Sequence, residues 1–135
     1  MAQAAADAFQ ERLVRFAAKI IGLGTCLPKT IAGRHIAGQI LRSGTSPAPN
    51  CAEARGAGSR ADFVHKLRIV VTELNETGMW LLLILKARMA PDALVTGLAR
   101  ENREPARILS ASIRTAQAKC LQRPNDKWPL TDDKR

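Results

Sequence analysis

Aromatic side chains are scarce in this chain of 135 residues: they account for 4% of it, and tyrosine is absent. Proteins that bind single strands by stacking need several aromatic faces, so the composition excludes a stacking platform. It also argues against a β-sandwich, because strands favour aromatic and β-branched residues. Hydrophobic residues make up 46% of the chain, which is enough to bury the core of one ordinary domain.

Metal-binding and disulfide patterns are also missing. The three cysteines, Cys26, Cys51 and Cys120, lie far apart in the sequence, and His35 and His65 are the only histidines. No zinc-ligand spacing can be assembled from them, so we expect neither a metal nor another cofactor. An odd number of cysteines without an export signal favours reduced, buried thiols in a cytoplasmic protein.

Long apolar runs are absent. The longest one spans residues 79–85 and is far shorter than the roughly 20 residues that cross a bilayer. The N-terminal segment carries Asp7 and has no basic start, unlike a signal peptide. We therefore expect a soluble protein without a membrane partner.

The sequence does have a helical hydrophobic pattern. Apolar residues recur every three or four positions along two long stretches, which predicts amphipathic helices that pack against other helices. Ser59 and Asp62 form a capping-box variant before the second stretch, which predicts a helix of about 28 residues that ends at Lys86 or Arg88. The first stretch contains Phe9, Leu13, Phe16, Ile20, Leu23 and Leu27, and the second contains Phe63, Leu67, Val70, Leu74, Thr77, Leu81 and Ile84.

Prolines interrupt the helical stretch between these two. It starts near Pro28 or Lys29, where proline suits a first turn. It must then kink or break at Pro47 and Pro49, because each proline removes a backbone donor and crowds the preceding turn. Its apolar residues are Ile31, Ile36, Ile40 and Leu41.

A fourth helix is predicted from Pro91 onward, and Pro105 inside it predicts either a kink or two segments joined near Glu104. Four amphipathic helices with short links indicate an all-α, antiparallel up-and-down four-helix bundle over residues 1–120. A polar, mobile C-terminal tail is predicted over residues 121–135. The apolar residues of the fourth helix are Leu94, Leu98, Leu109, Ile113 and Ala116.

Residues 27–85 carry a combination of residues that resembles a known family, the bacterial four-helix bundle proteins related to those encoded in intervening sequences of 23S ribosomal RNA genes. The chain departs from that family where Cys51 replaces the usual isoleucine and Ala54 the usual glycine, and Pro47 is an additional proline. The matching residues are Pro28, Gln39, Arg42, Ser43, Ser46, Pro49, Asn50, Ala52, Glu53, Ser59, Asp62, Phe63, Leu67, Glu73, Trp80 and Leu81.

The resemblance implies a bundle that assembles as a ring-shaped homopentamer. Distant relatives are accessory subunits of diversity-generating retroelements, in which a basic pentamer engages nucleic acid and a reverse transcriptase. The family has no known catalytic residues, so the resemblance transfers none to this chain.

Polar residues at spacings of three and four form a stripe along the second helix and past its prolines. Two interpretations stay open: a line of contacts with a ligand or nucleic acid, or groups that satisfy one another and the backbone freed by the prolines. Glu53 and Glu73 are predicted to pair with Arg42 or Arg68. Trp80 belongs either to the core or, by the resemblance, to a subunit interface. The stripe and its neighbours are Gln39, Arg42, Ser43, Ser46, Asn50, Glu53, Glu73 and Trp80.

Basic residues indicate where function lies. Lysine and arginine outnumber aspartate and glutamate by 21 to 12, which gives a formal net charge of +9. An arginine fork offers a phosphate two parallel hydrogen bonds, and five copies would together carry about +45. Glu101 and Glu104 lie beside the arginines of the last helix, so an ordinary solvated face is the alternative. The candidates are Arg100, Arg103, Arg107 and Arg114 on the last helix and Arg12, Arg15 and Lys19 on the first.

We therefore predict a non-catalytic, basic homopentamer that binds RNA or DNA through phosphate-backbone contacts, as an accessory to a nucleic-acid enzyme such as a reverse transcriptase. The alternative is a structural or protein-interaction scaffold whose charge is incidental. Ser59 and His65 could be imagined as nucleophile and base, but Ser59 is better explained as a helix cap. Without paired carboxylates or a phosphate-binding glycine loop, the sequence does not indicate an enzyme.

Overall fold

The computed structural model describes residues 2–122, with side chains through residue 119, and this part of the chain is helical apart from short connections. No strand occurs in residues 2–122, as the sequence predicts. The predicted tail overlaps them only at residues 121 and 122, which continue the last helix, and otherwise lies outside the described residues. The helices are α1 Gln3–Cys26, α2 Ile31–Thr45, α3 Pro47–Arg55, α4 Arg60–Lys86 and α5 Asp92–Gln122.

Helices α2 and α3 together form the second leg of the bundle, and the leg is broken at Ser46. Pro47 and Pro49 cannot donate backbone hydrogen bonds, so regular helical bonding is interrupted there. The backbone amide of Asn50 donates to the Ser46 carbonyl at 3.2 Å, which closes the first turn of the new helix. The kink or break predicted from the prolines is confirmed as a break.

Two clusters of buried apolar side chains fill the core, one at each end of the bundle. In the first, Phe9 near the start of α1 is grouped with α3, the first half of α4 and the second half of α5. In the second, Leu23 near the end of α1 is grouped with α2, the end of α4 and the start of α5. It follows that α1 and α4 run one way and the α2–α3 leg and α5 the other, in the predicted up-and-down order.

Hydroxyl side chains cap two of the helices. Ser59 accepts a hydrogen bond from the backbone amide of Asp62 at 3.0 Å, as the capping-box variant predicts, and α4 then runs 27 residues to Lys86. Thr30 accepts from the amide of Gly33 at 3.0 Å, so α2 begins at Ile31 and not at residues 28–29 as predicted. The threonine sets the start because its oxygen satisfies an amide that has no partner within the helix.

The course of the last helix corrects one prediction. Helix α5 runs unbroken through Pro105, which is buried, so the alternative of two segments is wrong. One proline removes only one backbone donor, and packing on both sides of it holds the helix together.

Some residues predicted on apolar faces are exposed. Leu94 is 41% exposed, and Val95 takes its place in the core. Ile31 and Leu41 on α2 are exposed as well, and Ile40 is the large apolar residue that α2 buries fully.

The cysteines differ in exposure. Cys51 on α3 is buried, and burial raises the pKa of its thiol. Cys26 is exposed at the end of α1, which corrects the expectation that it is buried. Leu23 and Leu27 are the buried residues at this end of α1, and Cys26 lies between them on the exposed side. The side chain of Cys120 lies outside the described residues.

Gly44 allows α2 to approach α1 closely. A Cβ atom at this position would lie 2.8 Å from Cγ2 of Ile20, a fully buried side chain. We expect Gly44→Ala to lower the free energy of unfolding by about 1–3 kcal/mol, measured by urea denaturation.

The matched control for this prediction is Gly38→Ala on the same helix, where no atom lies within 4 Å of an added Cβ. Because alanine is the better helix former, Gly38→Ala should be neutral or should stabilise by up to about 1 kcal/mol. Equal effects of the two substitutions would contradict the close approach of α1 and α2 at Gly44.

Candidate functional site

The outer surfaces of α4 and α5 border a groove of about 440 Å³. Asn75 and Gly78 line it from α4. Because a helix turns once every 3.6 residues, the lining residues of α5 fall on one face of that helix. The groove contains three of the four arginines predicted on the last helix. Its polar lining from α5 is Asn102, Arg103, Arg107, Ser110 and Arg114.

The arginines of this α4–α5 groove are only partly neutralised. Arg107 Nη2 donates to Glu104 Oε1 at 2.6 Å, and both side chains are exposed. Within residues 2–119, Arg103 and Arg114 have no hydrogen-bond or ion-pair partner. Exposed ion pairs contribute little stability and exchange readily for other partners, so all three guanidinium groups are available to an anion. Arg100 is exposed three residues before Arg103 but does not line the groove.

Asn102 is the buried polar residue of the groove, with 4% of its surface exposed. Its Nδ2 donates to the Leu74 carbonyl at 2.8 Å, whereas its Oδ1 is buried and has no donor among the described residues. Gly78 makes room for this amide, because a Cβ there would lie 3.2 Å from Asn102 Nδ2. Asn102 was not among the predicted site residues, although its position in line with Val95 and Leu98 on the buried face is a signal that the sequence contains.

The structure does not bring the basic residues of α1 to this groove. Arg15 pairs with Glu11 one turn earlier at 3.1 Å, and Lys19 Nζ donates to Glu101 Oε1 on α5 at 3.0 Å. Arg12 is half-buried on the same helix. None of the three lines the α4–α5 groove. The two predicted basic sets are therefore separate surfaces, and Glu101 binds α1 instead of the arginines beside it.

A second polar cluster joins α2 to α4. Arg42 Nη1 donates to Glu73 Oε1 at 3.1 Å, and its Nη2 donates to Glu76 Oε2. Trp80 is half-buried, donates from Nε1 to Glu76 at 3.1 Å, and meets the His35 ring edge-on at a centroid distance of 6.2 Å. Hydrogen bonds from Arg42 and Trp80 hold the pKa of Glu76 below its ordinary value. The predicted pairing of Glu73 with Arg42 is confirmed, and Glu76 was missed.

Other residues of the polar stripe bond to one another. Thr77 Oγ1 donates to the buried Ser43 Oγ at 2.8 Å, which links α4 to α2. Asn50 Nδ2 donates to the Ser46 carbonyl at 3.0 Å and to Ser46 Oγ at 2.8 Å, so it satisfies the backbone at the proline break. These contacts favour the interpretation that the stripe holds the bundle together.

Glu53 corrects a predicted pairing. It accepts from Lys66 Nζ at 2.8 Å and not from Arg42 or Arg68. Because Glu53 lies on α3 beyond the break, it faces the first turns of α4, whereas Arg42 lies on α2 and meets α4 further along. Gln39 is half-buried on α2, and no partner for it occurs in the described part of the chain.

The geometry defines an all-helical bundle protein with a basic groove on its outer surface. Residues 8–111 match the family of the 23S rRNA-intervening sequence protein. The chain belongs to this family, which confirms the resemblance seen in its sequence.

A solved structure supports the same assignment. A protein of unknown function from the S23 ribosomal protein family of Bacteroides thetaiotaomicron is 32% identical, with a TM-score of 0.75. The match covers 81% of this chain and 97% of that one. No curated protein matches the chain.

Residues 2–122 lack membrane-spanning and metal-binding features. No helix there combines the length and the apolar content that crossing a bilayer requires. The same residues contain no group of three or more His, Cys, Asp and Glu side chains placed to hold a metal ion.

The lowered pKa of Glu76 predicts a pH-dependent contribution to stability. A carboxyl whose pKa falls on folding stabilises the fold above its unfolded pKa, near 4.5, and loses that effect as the pH drops through the folded value. Glu76→Gln should therefore be less stable than the unaltered protein at neutral pH, and the difference should narrow toward about pH 3. Urea denaturation at the two pH values measures it.

Glu11→Gln is the control for this pH dependence, because the one partner of Glu11 in the described part of the chain is exposed Arg15 on its own helix. Exposed pairs of this kind contribute little, so its stability should follow that of the unaltered protein. A Glu76→Gln deficit that stays constant across the pH range would show that the carboxylate charge is not responsible.

Proposed function

We propose that this protein is a non-catalytic, basic bundle that binds RNA or DNA through phosphate-backbone contacts, and that the α4–α5 groove is the binding surface. The observation that carries the proposal is the alignment of Arg103, Arg107 and Arg114 along one groove, where Glu104 is their single carboxylate partner within residues 2–119. The net charge of +9 adds a long-range attraction for polyanions.

The spacing of the arginines matches the phosphate repeat of a nucleic-acid strand. From Arg103 to Arg114 the helix rises about 16 Å, at roughly 1.5 Å per residue. Phosphates in one strand of a duplex repeat at roughly 3.4 Å along the axis, so the groove runs beside about five of them. Guanidinium forks bind phosphate oxygens and do not read bases from this position, so binding is weakly sequence-specific.

Assembly as a homopentamer is part of the proposal and is supported by an exposed apolar patch on α4. The patch consists of Met79, Leu82 and Leu83, which are 59%, 46% and 46% exposed. Residues 79–85 are apolar on every side of the helix, and one chain leaves the outer face of this stretch open. A second copy that covers the patch would remove these side chains from water.

The proposed role is that of an accessory to a nucleic-acid enzyme such as a reverse transcriptase. The chain offers a charged groove that holds a strand, and its polar clusters consist of ion pairs and buried hydrogen bonds that stabilise the fold. A protein with these features positions a nucleic acid while a partner performs the chemistry. The scaffold alternative is the outcome in which no nucleic acid binds.

Removing two groove arginines should weaken binding and its salt dependence. Affinity falls as salt rises, so the slope of log affinity against log salt is negative. In Arg103→Ala/Arg107→Ala we expect the magnitude of this slope to decrease by about 1.4 for a single strand, roughly 0.7 for each phosphate that an arginine no longer neutralises. Fluorescence anisotropy with a labelled oligonucleotide, repeated across salt concentrations, measures the slope.

Arg15→Ala/Lys19→Ala is the matched control, because it removes the same charge from α1, away from the groove. Its slope should stay close to that of the unaltered protein. If the α1 variant lowers the slope and the groove variant does not, the binding surface lies on α1. If the unaltered protein binds no oligonucleotide at low salt, the scaffold alternative is correct.

The apolar patch predicts the subunit interface. Met79→Ser/Leu83→Ser should convert the oligomer to monomers while the helical circular dichroism signal is retained, because both side chains face outward in a single chain. Light scattering measures the mass. Ile21→Ser on α1 is the control, since Ile21 is 49% exposed and lies outside the patch. Dissociation by Ile21→Ser alone would place the interface on α1.

A further inference from the structure

The α4–α5 groove contains a hydrogen-bond acceptor that a phosphate cannot satisfy. The Leu74 carbonyl can only accept, so it must face the Nδ2 group of Asn102, and this fixes the orientation of the amide. Oδ1 is therefore the atom that has no donor among the described residues, in a residue that is 96% buried. A buried acceptor of this kind requires a donor, whereas phosphodiester oxygens are themselves acceptors.

We infer that the α4–α5 groove binds RNA: Arg103 and Arg107 hold a phosphate, and Asn102 Oδ1 accepts a hydrogen bond from a ribose 2′-hydroxyl of the same strand. This inference rests on the proposed nucleic-acid function and narrows it from either nucleic acid to RNA. Asn102 becomes a residue that determines specificity, and the arginines supply most of the affinity.

The 2′-hydroxyl follows from what the groove lacks. Among the described residues, no aromatic side chain lines it, so they offer bases no face on which to stack and favour contacts along the sugar–phosphate backbone. Within that backbone the 2′-hydroxyl is the one hydrogen-bond donor, and DNA does not have it. An acceptor placed beside phosphate-binding arginines therefore distinguishes the two nucleic acids without reading their sequence.

Asn102 and Gly78 both line the α4–α5 groove, so the amide lies at its wall. Gly78 has no side chain beside the amide, and an added Cβ there would already lie 3.2 Å from Nδ2. The Arg107 side chain is 75% exposed, and its partner among the described residues is Glu104, so it can turn toward a phosphate in the groove. Binding of an RNA strand would then bring a phosphate to Arg107 and a 2′-hydroxyl donor to Asn102 in the same groove.

Three short oligomers of identical length and charge test the inference on the unaltered protein: oligouridine, its 2′-O-methyl form and oligodeoxyuridine. The base is uracil in all three, so its N3–H donor cannot cause a difference in affinity among them. We expect oligouridine to bind roughly 3- to 10-fold more tightly than either of the other two, as one hydrogen bond predicts. Anisotropy at a single low salt concentration measures the three affinities.

Three variants test which side-chain atoms produce the preference for oligouridine. Asn102→Leu keeps the branched shape of the side chain and removes Oδ1, so the preference for oligouridine should disappear and the three oligomers should bind equally. Arg103→Ala/Arg107→Ala should weaken all three alike and retain the preference for oligouridine. Asn102→Ala serves as a second removal of Oδ1 if the leucine variant fails to fold.

The outcomes separate this inference from the proposed function. If all three oligomers bind the unaltered protein equally, and the arginine variant weakens them, phosphate binding stands and the role of Asn102 is wrong. A preference for oligouridine that survives Asn102→Leu and Asn102→Ala also overturns it. If none of the three binds, both the inference and the proposed function fail.

Discussion

Seven buried side chains along one face of α4, from Val64 to Ile84, hold three other helices in place. Helices α2, α3 and α5 all pack against α4, and α4 contributes side chains to both core clusters. Because apolar burial is non-directional, this seam alone would allow the helices to slide. The Thr77–Ser43 hydrogen bond and the Arg42 pairs with Glu73 and Glu76 fix the register of α2 on α4.

The same packing creates the groove. Helix α5 buries Val95, Leu98 and Leu109 against its neighbours, and a helix that buries one face must present the other to water. Its arginines are therefore exposed along the line where α5 meets the outer surface of α4. Asn102 ties the two helices together there through the Leu74 carbonyl, so one contact both fixes the helix pair and leaves an acceptor at the groove.

Sequence reasoning reached the fold because its signals were local. The spacing of Leu13, Phe16 and Ile20, the cap at Ser59 and the prolines after Ser46 each act within one or two turns, and the structure has all of them. Predictions failed where contacts with a neighbouring helix decide which side chains are buried. Leu94, for example, is exposed, and Val95 lies in the core instead. The groove could not be predicted either, because it depends on Gly78 lying opposite Asn102, and sequence periodicity does not specify which residues of two helices meet.

Light scattering by the purified protein, with and without a short mixed-sequence RNA at low and at high salt, tests the central claim most directly. A basic oligomer that holds phosphates should have a mass near five times 14.7 kDa, gain RNA at low salt and release it at high salt. A monomer, or an oligomer whose mass does not change when RNA is added at low salt, would contradict it.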